Sequence, residues 1–485
     1  MTEMHEMPRN RYRAYLQSLA IVRALVALCY NARQFHSLFY ISQRLFMLRF
    51  APSPTGDMHI GNLRTAIFNY ILAKQRGERF LIRIEDTDVA RNIAGSDKEI
   101  LQILTLFGLL WDDLVYQSGN FPYHNQLAQK LIDNGRAFYC YCSKDFLESK
   151  KQEAIAAKQA FRYDDSWAEI EKDSGKSPVI RLRKSLEPIT YHDSIKGDLH
   201  FAPNELDSFV IMREDGVPTY NFACACDDML YDISAIVRGE DHTSNTPKQI
   251  LVHRALGYEK QIEYAHLPII LGESGKKMSK RDSASSVAWL LEQGFLPSAI
   301  CNYLISMGNH TPYEIFSLEE AIAWFSLEKI AKAPVRFDLA RLRFVNHAHL
   351  SRLSDSDLAL LLESSDEAMG KLARIYLEEA STLNELRDKI SPIFSPKDIS
   401  TLYEGQDFSQ ECAALAEALR TIAVNAPLEY ESFKDQAMQA SGLKGKGFFK
   451  ALRILLTGAS HGPDLSKLYA ILRPHLREVV VCVGS

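Results

Sequence analysis

The chain has 485 residues, of which 46% are hydrophobic and 24% are charged, and this balance is ordinary for a soluble globular protein. Its length predicts about three domains, at roughly 150 residues for each domain. The formal net charge of -5 excludes a global basic field for nucleic acid, so any RNA binding must come from local basic patches. Eight cysteines without a dense framework are typical of reduced thiols, so a cytoplasmic location is predicted.

Residues 1–46 differ in composition from the rest of the chain, with six arginines, no lysine and two acids. Their apolar stretch, 19–30, is interrupted by Arg23 and is shorter than the ~20 apolar residues that a membrane span needs. No membrane association is therefore expected. We interpret 1–46 as a mis-assigned start or dispensable extension, because Met47 directly precedes the first motif. A transit peptide and a functional arm are the alternatives.

The first predicted elements form a βαβ unit. A strand at 49–51 leads into a proline- and glycine-rich turn, and a helix is predicted over 63–75 from apolar residues spaced i, i+4, i+7 and i+8. A short apolar strand follows at 80–84. Strands joined by such a crossover are parallel and place their site at their carboxyl ends. His59 and Glu85 are both expected at that edge.

The remaining pattern predicts helical structure at 97–136, punctuated by Gly108, Pro122 and Gly135, and then an inserted subdomain. The insertion is expected to contain a helix at 144–158 and strands at 178–182 and 208–212. Returning core elements follow it, predicted as strands at 219–226, 235–238 and 265–271 and a helix at 246–256. Beyond about 285 the sequence is almost wholly helical in pattern, with one strand predicted at 479–483.

Two segments carry phosphate-binding chemistry. Residues 59–62 read His-Ile-Gly-Asn at the expected exit of a strand, and 276–281 read Lys-Lys-Met-Ser-Lys-Arg after Gly272 and Gly275. An imidazole at a helix start can donate hydrogen bonds to phosphate oxygens beside the helix dipole. Ammonium groups on the opposite side can stabilise charge on a leaving pyrophosphate.

These segments and others resemble the bacterial glutamate–tRNA ligases, which are class I aminoacyl-tRNA synthetases. The stretch 49–56, Arg-Phe-Ala-Pro-Ser-Pro-Thr-Gly, resembles the first signature of that family, and 59–62 and 277–281 resemble its histidine and lysine motifs. Asn62 stands where the broader class often has a second histidine. Further matches follow at 83–88, 218–222, 238–242, 442–446, 456–458 and 461–463. The resemblance covers roughly 47–475.

The resemblance implies an α/β fold: a Rossmann-like, parallel-sheet catalytic domain, an inserted α+β acceptor-binding subdomain and an all-α C-terminal anticodon-binding region. The domains expected after the extension 1–46 are the catalytic halves 47–136 and 216–284, the acceptor-stem insertion 137–215, a helical stem-contact domain 285–354 and an anticodon-binding domain 355–485. In the last region, Lys444, Lys446, Lys450 and Arg453 are candidates for contacts to tRNA phosphates, which position RNA without reading its sequence.

The resemblance also assigns the site. His59, Lys277 and Lys280 are the catalytic candidates, and the expected ATP contacts are Ala51, His59, Gly61 and Lys280. The glutamate contacts implied are Arg49, Ser53, Glu85, Tyr220 and Arg238. A guanidinium recognises a planar carboxylate, so Arg49 is the candidate for the substrate side chain, and Glu85 is the candidate for its ammonium group. Glutamine–tRNA ligases typically have Pro and Glu at the positions of Ala51 and Ser53, so glutamate is favoured.

Two Cys-x-Cys pairs, Cys140/Cys142 and Cys224/Cys226, could each supply half of a tetrahedral zinc site. Some family members complete such a site from a later cysteine, but Trp167 stands at that position here. The second pair is predicted on one buried face of a strand. Zinc is therefore not expected, and the cysteines are interpreted as reduced.

The activity implied is ATP-dependent attachment of glutamate to the 3′ end of tRNA through glutamyl-adenylate, with Mg²⁺ bridging the phosphates. The runs 222–228 and 275–282 resemble the second glutamate–tRNA ligase copy of some bacteria, which charges tRNA-Gln before an amidotransferase makes glutamine. That substrate is favoured over tRNA-Glu, and a monomer is expected. A paralogue that glutamylates queuosine and a non-catalytic RNA-binding descendant are the remaining alternatives.

Overall fold

A computed structural model describes residues 46–172, 175, 177–278, 282–397, 406–425 and 429–481. The described residues form two compact units. The first unit lies within 46–289 and 301–338, and the second within 290–300 and 339–481. The predicted extension 1–46 lies outside the described residues, except for Phe46.

The first unit is built on a seven-stranded sheet with two smaller sheets beside it. The strands in chain order are β1 Met47–Phe50, β2 Arg79–Ile84, β3 Asp113–Tyr116, β4 Ala137–Cys140, β5 Val179–Leu182, β6 Ile189–Asp193, β7 Gly197–Phe201, β8 Phe209–Met212, β9 Ile233–Gly239, β10 Glu263–Leu267, β11 Ile270–Leu271 and β12 Val335–Arg336. The large sheet has the order β3-β2-β1-β9-β10-β6-β7, and the smaller ones are β4-β5-β8 and β11-β12. The large sheet is parallel except for the β6–β7 hairpin.

Helices surround the sheets and make up most of the second unit. In chain order they are α1 Ile60–Arg76, α2 Ser96–Leu106, α3 Phe121–Asp133, α4 Lys144–Ala156, α5 Tyr220–Leu230, α6 Thr246–Leu256, α7 Val287–Glu292, α8 Pro297–Ser306, α9 Leu318–Trp324, α10 Leu339–Arg352, α11 Asp355–Leu361, α12 Glu367–Tyr376, α13 Leu383–Ile390, α14 Ser409–Ile422, α15 Tyr430–Ser441, α16 Gly445–Thr457, α17 Leu465–Leu472 and α18 Leu476–Val481. Within the described parts of the chain, no helix is long and apolar enough to cross a membrane.

The predicted βαβ unit is confirmed as β1, α1 and β2. Five of the six residues of β2 are buried, because a parallel sheet is covered by helices on both faces. The helix α1 ends where Gly77 adopts φ 65° and its N–H bonds the carbonyls of Ala73 and Lys74. The carboxyl ends of β1 and β2 therefore meet at one edge, as the pattern indicated.

Three predicted elements are wrong. The stretch 97–136 forms the helices α2 and α3, but the part between them, predicted as helical, contains the strand β3. Residues 219–226 are not a strand: most of them lie in α5, whose residues from Phe222 to Asp228 are all buried. A short apolar run buried on every side lacks the period that distinguishes a helix from a strand. The strand predicted at 479–483 is instead helical up to Val481, and 482–483 lie outside the described residues.

Two strands within 137–215 belong to the seven-stranded sheet and not to a separate layer. Strand β6 pairs in parallel with β10 at Asp193 and Tyr264, and β7 pairs with β6. The rings of Tyr191 and Tyr264 lie 5.2 Å apart at this junction. The predicted insertion therefore contributes β6 and β7 to the large sheet beside β10, before β8 returns to the smaller sheet with β4 and β5.

The helices of the second unit pack closely enough to require glycine at one position. An added Cβ on Gly370 of α12 would lie 1.7 Å from the carbonyl oxygen of Asp355 at the start of α11. Backbone atoms cannot move aside as a flexible side chain can. The close approach of α11 and α12 therefore depends on this glycine.

Candidate active site

A cavity of about 730 Å³ opens at the carboxyl ends of β1, β2, β9 and β10 in the first unit. It collects nearly every predicted site residue, although the sequence separates them by up to about 230 positions. Those lining it are Arg49, Ala51, Ser53, His59, Gly61, Glu85, Tyr220, Arg238 and Lys277. The remaining catalytic candidate, Lys280, lies outside the described residues, together with its neighbours 279 and 281.

His59 is the N-cap of α1. Its Nδ1 accepts a hydrogen bond from the backbone N–H of Gly61 at 3.0 Å. Because Nδ1 acts as an acceptor, a neutral ring carries its proton on Nε2. The imidazole therefore has two separate parts: one nitrogen satisfies the helix terminus, and the other is a hydrogen-bond donor at the cavity wall. An anion near this helix start would also gain from the helix dipole.

Arg49 and Glu85 do not pair with each other, but each belongs to one buried ion network. Arg49 donates from Nε to Asp228 Oδ1 at 3.1 Å, and Arg83 donates from Nη1 to the same oxygen at 2.6 Å. Arg83 also bonds Glu85 Oε1 at 3.1 Å, and the thiol of Cys224 donates to that oxygen at 3.0 Å. The network fixes both predicted substrate contacts in place.

Asp228 balances the two guanidinium groups. Burial alone would raise the pKa of Asp228, but the charges of Arg49 and Arg83 outweigh it and hold that pKa well below its ordinary value. The carboxylate is therefore ionised throughout the neutral range. Arg49 reaches the cavity with much of its charge already compensated from behind.

Arg238 is held differently, along one edge and by neutral groups. Its Nη2 donates to Thr246 Oγ1 at 2.7 Å and its Nε to His266 Nε2 at 3.3 Å. Its Nη1 is buried and has no hydrogen-bond partner among the described residues. A buried guanidinium nitrogen without a partner is costly unless a ligand satisfies it. This atom marks the part of the cavity best suited to an anion.

Tyr220 and His242 form the neighbouring wall. The Tyr220 hydroxyl lies 3.1 Å from His242 Nδ1, which Asn245 also approaches with its amide nitrogen at 3.2 Å. Burial, aided by the charge of Arg238, lowers the pKa of His242 to about 4. The ring is therefore neutral at physiological pH and adds no competing positive charge.

The lysine motif at 277–281 is preceded by a turn at 272–276. Gly272 accepts from Gly275 and donates to Lys276 within the backbone, and Lys277 forms an isolated bridge with Leu271. The Lys277 ammonium donates to Asp241 Oδ2 at 3.0 Å. Both side chains are largely exposed, Lys277 at 58% and Asp241 at 50%. Such a pair contributes little stability. Lys277 can therefore exchange this partner for a phosphate at small cost.

The cysteine pairs lie apart from the cavity lining. Cys140 accepts hydrogen bonds from the Tyr163 hydroxyl at 3.1 Å and from Arg181 Nε at 3.4 Å. Burial would raise the pKa of Cys140, but these two bonds outweigh it and the pKa is lowered. Cys142 donates to the carbonyl of Trp167 at 3.0 Å. Among the described residues, no group of three or more His, Cys, Asp or Glu side chains could hold a metal ion.

The four basic candidates in the second unit divide into two pairs. Lys444 and Lys446 are exposed at the start of α16. Lys450 and Arg453 instead donate to backbone carbonyls, of Ser460 at 3.1 Å and of Pro463 at 2.6 Å. The first pair is thus better placed than the second to reach a phosphate backbone.

Sequence reasoning missed several groups that shape the cavity from behind. Asp228, Thr246 and His266 hold the two arginines, but none of them lies in a motif that indicates this role. Asp228 is 179 positions from Arg49. Of the three, only Asp228 carries a signal in the sequence, because the acidic pair 227–228 directly follows an apolar run.

Comparisons with known proteins agree with this geometry. The family described as tRNA synthetases class I (E and Q), catalytic domain, matches residues 46–344, and an anticodon binding domain matches 343–475. The chain is 64% identical over 437 residues to "Glutamate--tRNA ligase 2" of Helicobacter hepaticus, covering 90% of this chain and 99% of that protein. It is 58% identical over 435 residues to the "GlutamylGlutaminyl-tRNA synthetase" of Helicobacter pylori, at 90% and 99% coverage.

A solved structure extends the likeness to the whole fold. A glutamate tRNA ligase from Elizabethkingia meningosepticum, crystallised in complex with its amino acid, superimposes with a TM-score of 0.75 at 26% identity. The superposition covers 90% of this chain and 99% of that one.

Proposed function

The chain belongs to the class I aminoacyl-tRNA synthetases for glutamate and glutamine and is a glutamate–tRNA ligase; within that activity, we propose the residue roles, the metal and the tRNA that follow. The observation that carries the roles is that one cavity is lined by two anchored arginines, by the N-cap histidine of α1 and by Lys277. One side of it is suited to a dicarboxylate and the other to a triphosphate.

Glutamate is proposed to bind against β1, β2 and β9. Arg49 and Arg238 take its side-chain carboxylate, with Tyr220 and Ser53 beside them, and Glu85 takes its ammonium group. Neutral glutamine would leave the buried Nη1 of Arg238 facing an amide and not a charge, so it is rejected. Glu85 is held by Arg83 and Cys224, which keeps its carboxylate oriented.

ATP is proposed to lie against the start of α1. Ala51 and Gly61 are proposed to contact the nucleotide, and an added Cβ on Gly61 would lie 3.3 Å from His59 Nδ1 and crowd the imidazole. His59 donates from Nε2 to phosphate oxygens, and Lys277 and Lys280 bind the β- and γ-phosphates. These groups stabilise charge as the α-carboxylate of glutamate displaces pyrophosphate from the α-phosphorus.

Mg²⁺ is proposed to accompany the nucleotide. Asp88 and Asp241 line the cavity, but the described residues offer no cluster of three or more ligands. This donor set fits an ion held mainly by phosphates and water, as Mg²⁺ prefers, and not a protein-built cage. When bound, the ion would neutralise charge on the phosphates; zinc is not proposed.

The tRNA proposed is tRNA-Gln, with tRNA-Glu as the alternative. Support comes from the similarity to "Glutamate--tRNA ligase 2" of Helicobacter hepaticus and to the "GlutamylGlutaminyl-tRNA synthetase" of Helicobacter pylori. The terminal 2′-hydroxyl would attack the adenylate carbonyl, and an amidotransferase would convert the mischarged product. We further propose a cytoplasmic monomer with the domain boundaries given above.

Aminoacylation with labelled glutamate on purified tRNA-Gln and tRNA-Glu, assayed separately, tests this proposal. Charging of tRNA-Gln without tRNA-Glu is expected, and charging of tRNA-Glu alone would overturn the choice of tRNA. Labelled glutamine serves as the matched control and should give no product. Failure to charge either tRNA with glutamate would overturn the proposed pocket.

A paired substitution tests the contacts of the second unit. Lys444→Ala with Lys446→Ala should raise KM for tRNA and reduce its salt dependence, because exposed lysines that contact phosphates release counterions on binding. KM for glutamate should not change. An unchanged KM for tRNA would remove these two lysines from the interface.

A further inference from the structure

Behind Arg238 lies a chain of buried polar groups that leads to Asp193 on β6. Asp193 Oδ2 lies 2.6 Å from His266 Nδ1, and His266 Nε2 lies 3.0 Å from Thr246 Oγ1 and 3.3 Å from Arg238 Nε. Asp193, Thr246 and His266 are fully buried and Arg238 is 6% exposed. The chain is therefore shielded from water along its whole length.

The direction of each hydrogen bond follows from the chemistry of arginine. A guanidinium can only donate, so His266 Nε2 must be an acceptor and the proton of the ring must lie on Nδ1. Nδ1–H then donates to Asp193, which fixes this tautomer. Thr246 accepts from Arg238 Nη2 and donates to His266 Nε2. Every donor on the protein-facing edge of Arg238 is satisfied, and Nη1 is left for the cavity.

Asp193 is itself held firmly. One of its oxygens accepts from the backbone N–H groups of Ile195 and Lys196 at 2.9 and 2.8 Å, and the carboxylate also accepts from the N–H of His266 at 3.1 Å. Burial would raise the pKa of Asp193, but the bonds from His266 and the backbone lower it. The carboxylate is therefore a rigid anionic end point at the turn between β6 and β7.

We propose that Asp193, His266 and Thr246 are positioning residues, which orient the Arg238 guanidinium so that its Nη1 meets the side-chain carboxylate of the amino-acid substrate. This proposal rests on the proposed glutamate site. None of the three belongs to the set of predicted contacts, and their effect is on the binding of glutamate and not on ATP. Strand β6 thereby connects the chain of the predicted insertion to substrate selection.

The test uses the full chain and four variants. Asp193→Asn allows the other tautomer of His266, in which Nε2–H would point at the Nε–H of Arg238. In serine proteases the same Asp→Asn change gives the wrong histidine tautomer and a large loss of activity. Thr246→Val removes the hydroxyl at nearly constant volume, and Thr246→Ser restores it. His475→Gln is the control, because His475 forms another histidine–carboxylate pair, with Asp366 at 3.0 Å, in the second unit.

We expect Asp193→Asn and Thr246→Val to raise KM for glutamate by about 10- to 100-fold, the range for losing one hydrogen bond to a charged group. KM for ATP should stay near the wild-type value, Thr246→Ser should restore most of the affinity, and His475→Gln should leave both KM values unchanged. The proposal is overturned if both loss variants keep a normal glutamate KM. It is equally overturned if they shift the glutamate and ATP values together, or if the control behaves as they do.

Failure of the underlying function would look different. Wild-type protein that does not charge tRNA with glutamate contradicts the proposed site before any variant is compared. An active wild type with unaffected variants contradicts the positioning role alone.

Discussion

The helix-capping role of His59 and its proposed catalytic role can be separated by substitution. Its Nδ1 caps α1 by accepting from Gly61 at 3.0 Å, and its Nε2 is the proposed donor to ATP. His59→Asn keeps an acceptor close to the position of Nδ1, since asparagine is a preferred N-cap, but it has no atom that reaches the position of Nε2. His59→Ala removes both. The pair of variants therefore distinguishes the structural role from the catalytic one.

The magnitudes differ for the two roles. Loss of an N-cap costs about 1 kcal/mol, which would lower Tm by roughly 2–4 °C in a protein unit of this size. Loss of a transition-state donor costs about 10²- to 10³-fold in kcat. His59→Asn should therefore keep wild-type stability and lose activity, and His59→Ala should lose both.

Thermal unfolding and aminoacylation at saturating substrates measure the two effects on the same preparations. The reasoning is refuted if His59→Asn retains kcat within about threefold of wild type, well inside the loss that removal of a transition-state donor causes, because the imidazole would then act as a helix cap alone. It is also refuted if His59→Ala is as stable as His59→Asn.

Three further predictions concern other parts of the chain. Gly370→Ala should destabilise the second unit by about 3 kcal/mol, because its Cβ would meet the Asp355 carbonyl oxygen at 1.7 Å. Gly447→Ala has 3.6 Å between its Cβ and the nearest neighbour, so it should be neutral or stabilising. Denaturant unfolding measures the stability of both variants. Lys280→Ala should slow adenylate formation by about 10²-fold or more, and unchanged turnover would remove it from the catalytic set. Asp228→Asn should cost about 3–5 kcal/mol at pH 7, because it breaks a buried ion network. Since the folded-state pKa of Asp228 is depressed, its contribution to stability is present above the ordinary carboxyl pKa and is lost as pH falls below about 4. The variant should therefore lose less stability on acidification than wild type. Equal slopes of unfolding free energy against pH, measured by urea titration, would contradict this.

Local signals in the sequence predicted the elements that carry the motifs. The turn before α1, the 3.6-residue period of that helix and the apolar strand β2 are encoded within about 40 residues, and they correctly placed His59 and Glu85 at one edge. The resemblance to glutamate–tRNA ligases is confirmed by 64% identity over 437 residues. The order of the motifs along the chain therefore indicates the family without any information on contacts.

Hydrogen bonds between residues far apart in the sequence could not be predicted in this way. Arg49 was expected to face substrate, but its bond to Asp228 joins residues 179 positions apart, and the Asp193–His266 pair joins residues 73 apart. The strand predicted at 219–226 failed for a related reason. Its residues are buried on all sides of α5, so hydrophobicity alone did not reveal the period.

The two arginines of the proposed amino-acid pocket differ in how far their charge is already balanced by the protein. Arg49 bonds an ionised carboxylate directly, so its charge is balanced before substrate arrives. Arg238 bonds a threonine and a neutral histidine, and the nearest carboxylate in that chain, Asp193, lies beyond the imidazole ring. Its Nη1 is buried and has no partner in the part of the chain that the structure describes, so this guanidinium would gain more than Arg49 from a substrate anion. Preference for a charged over a neutral side chain should therefore depend on Arg238 more than on Arg49, and so on the groups that orient Arg238.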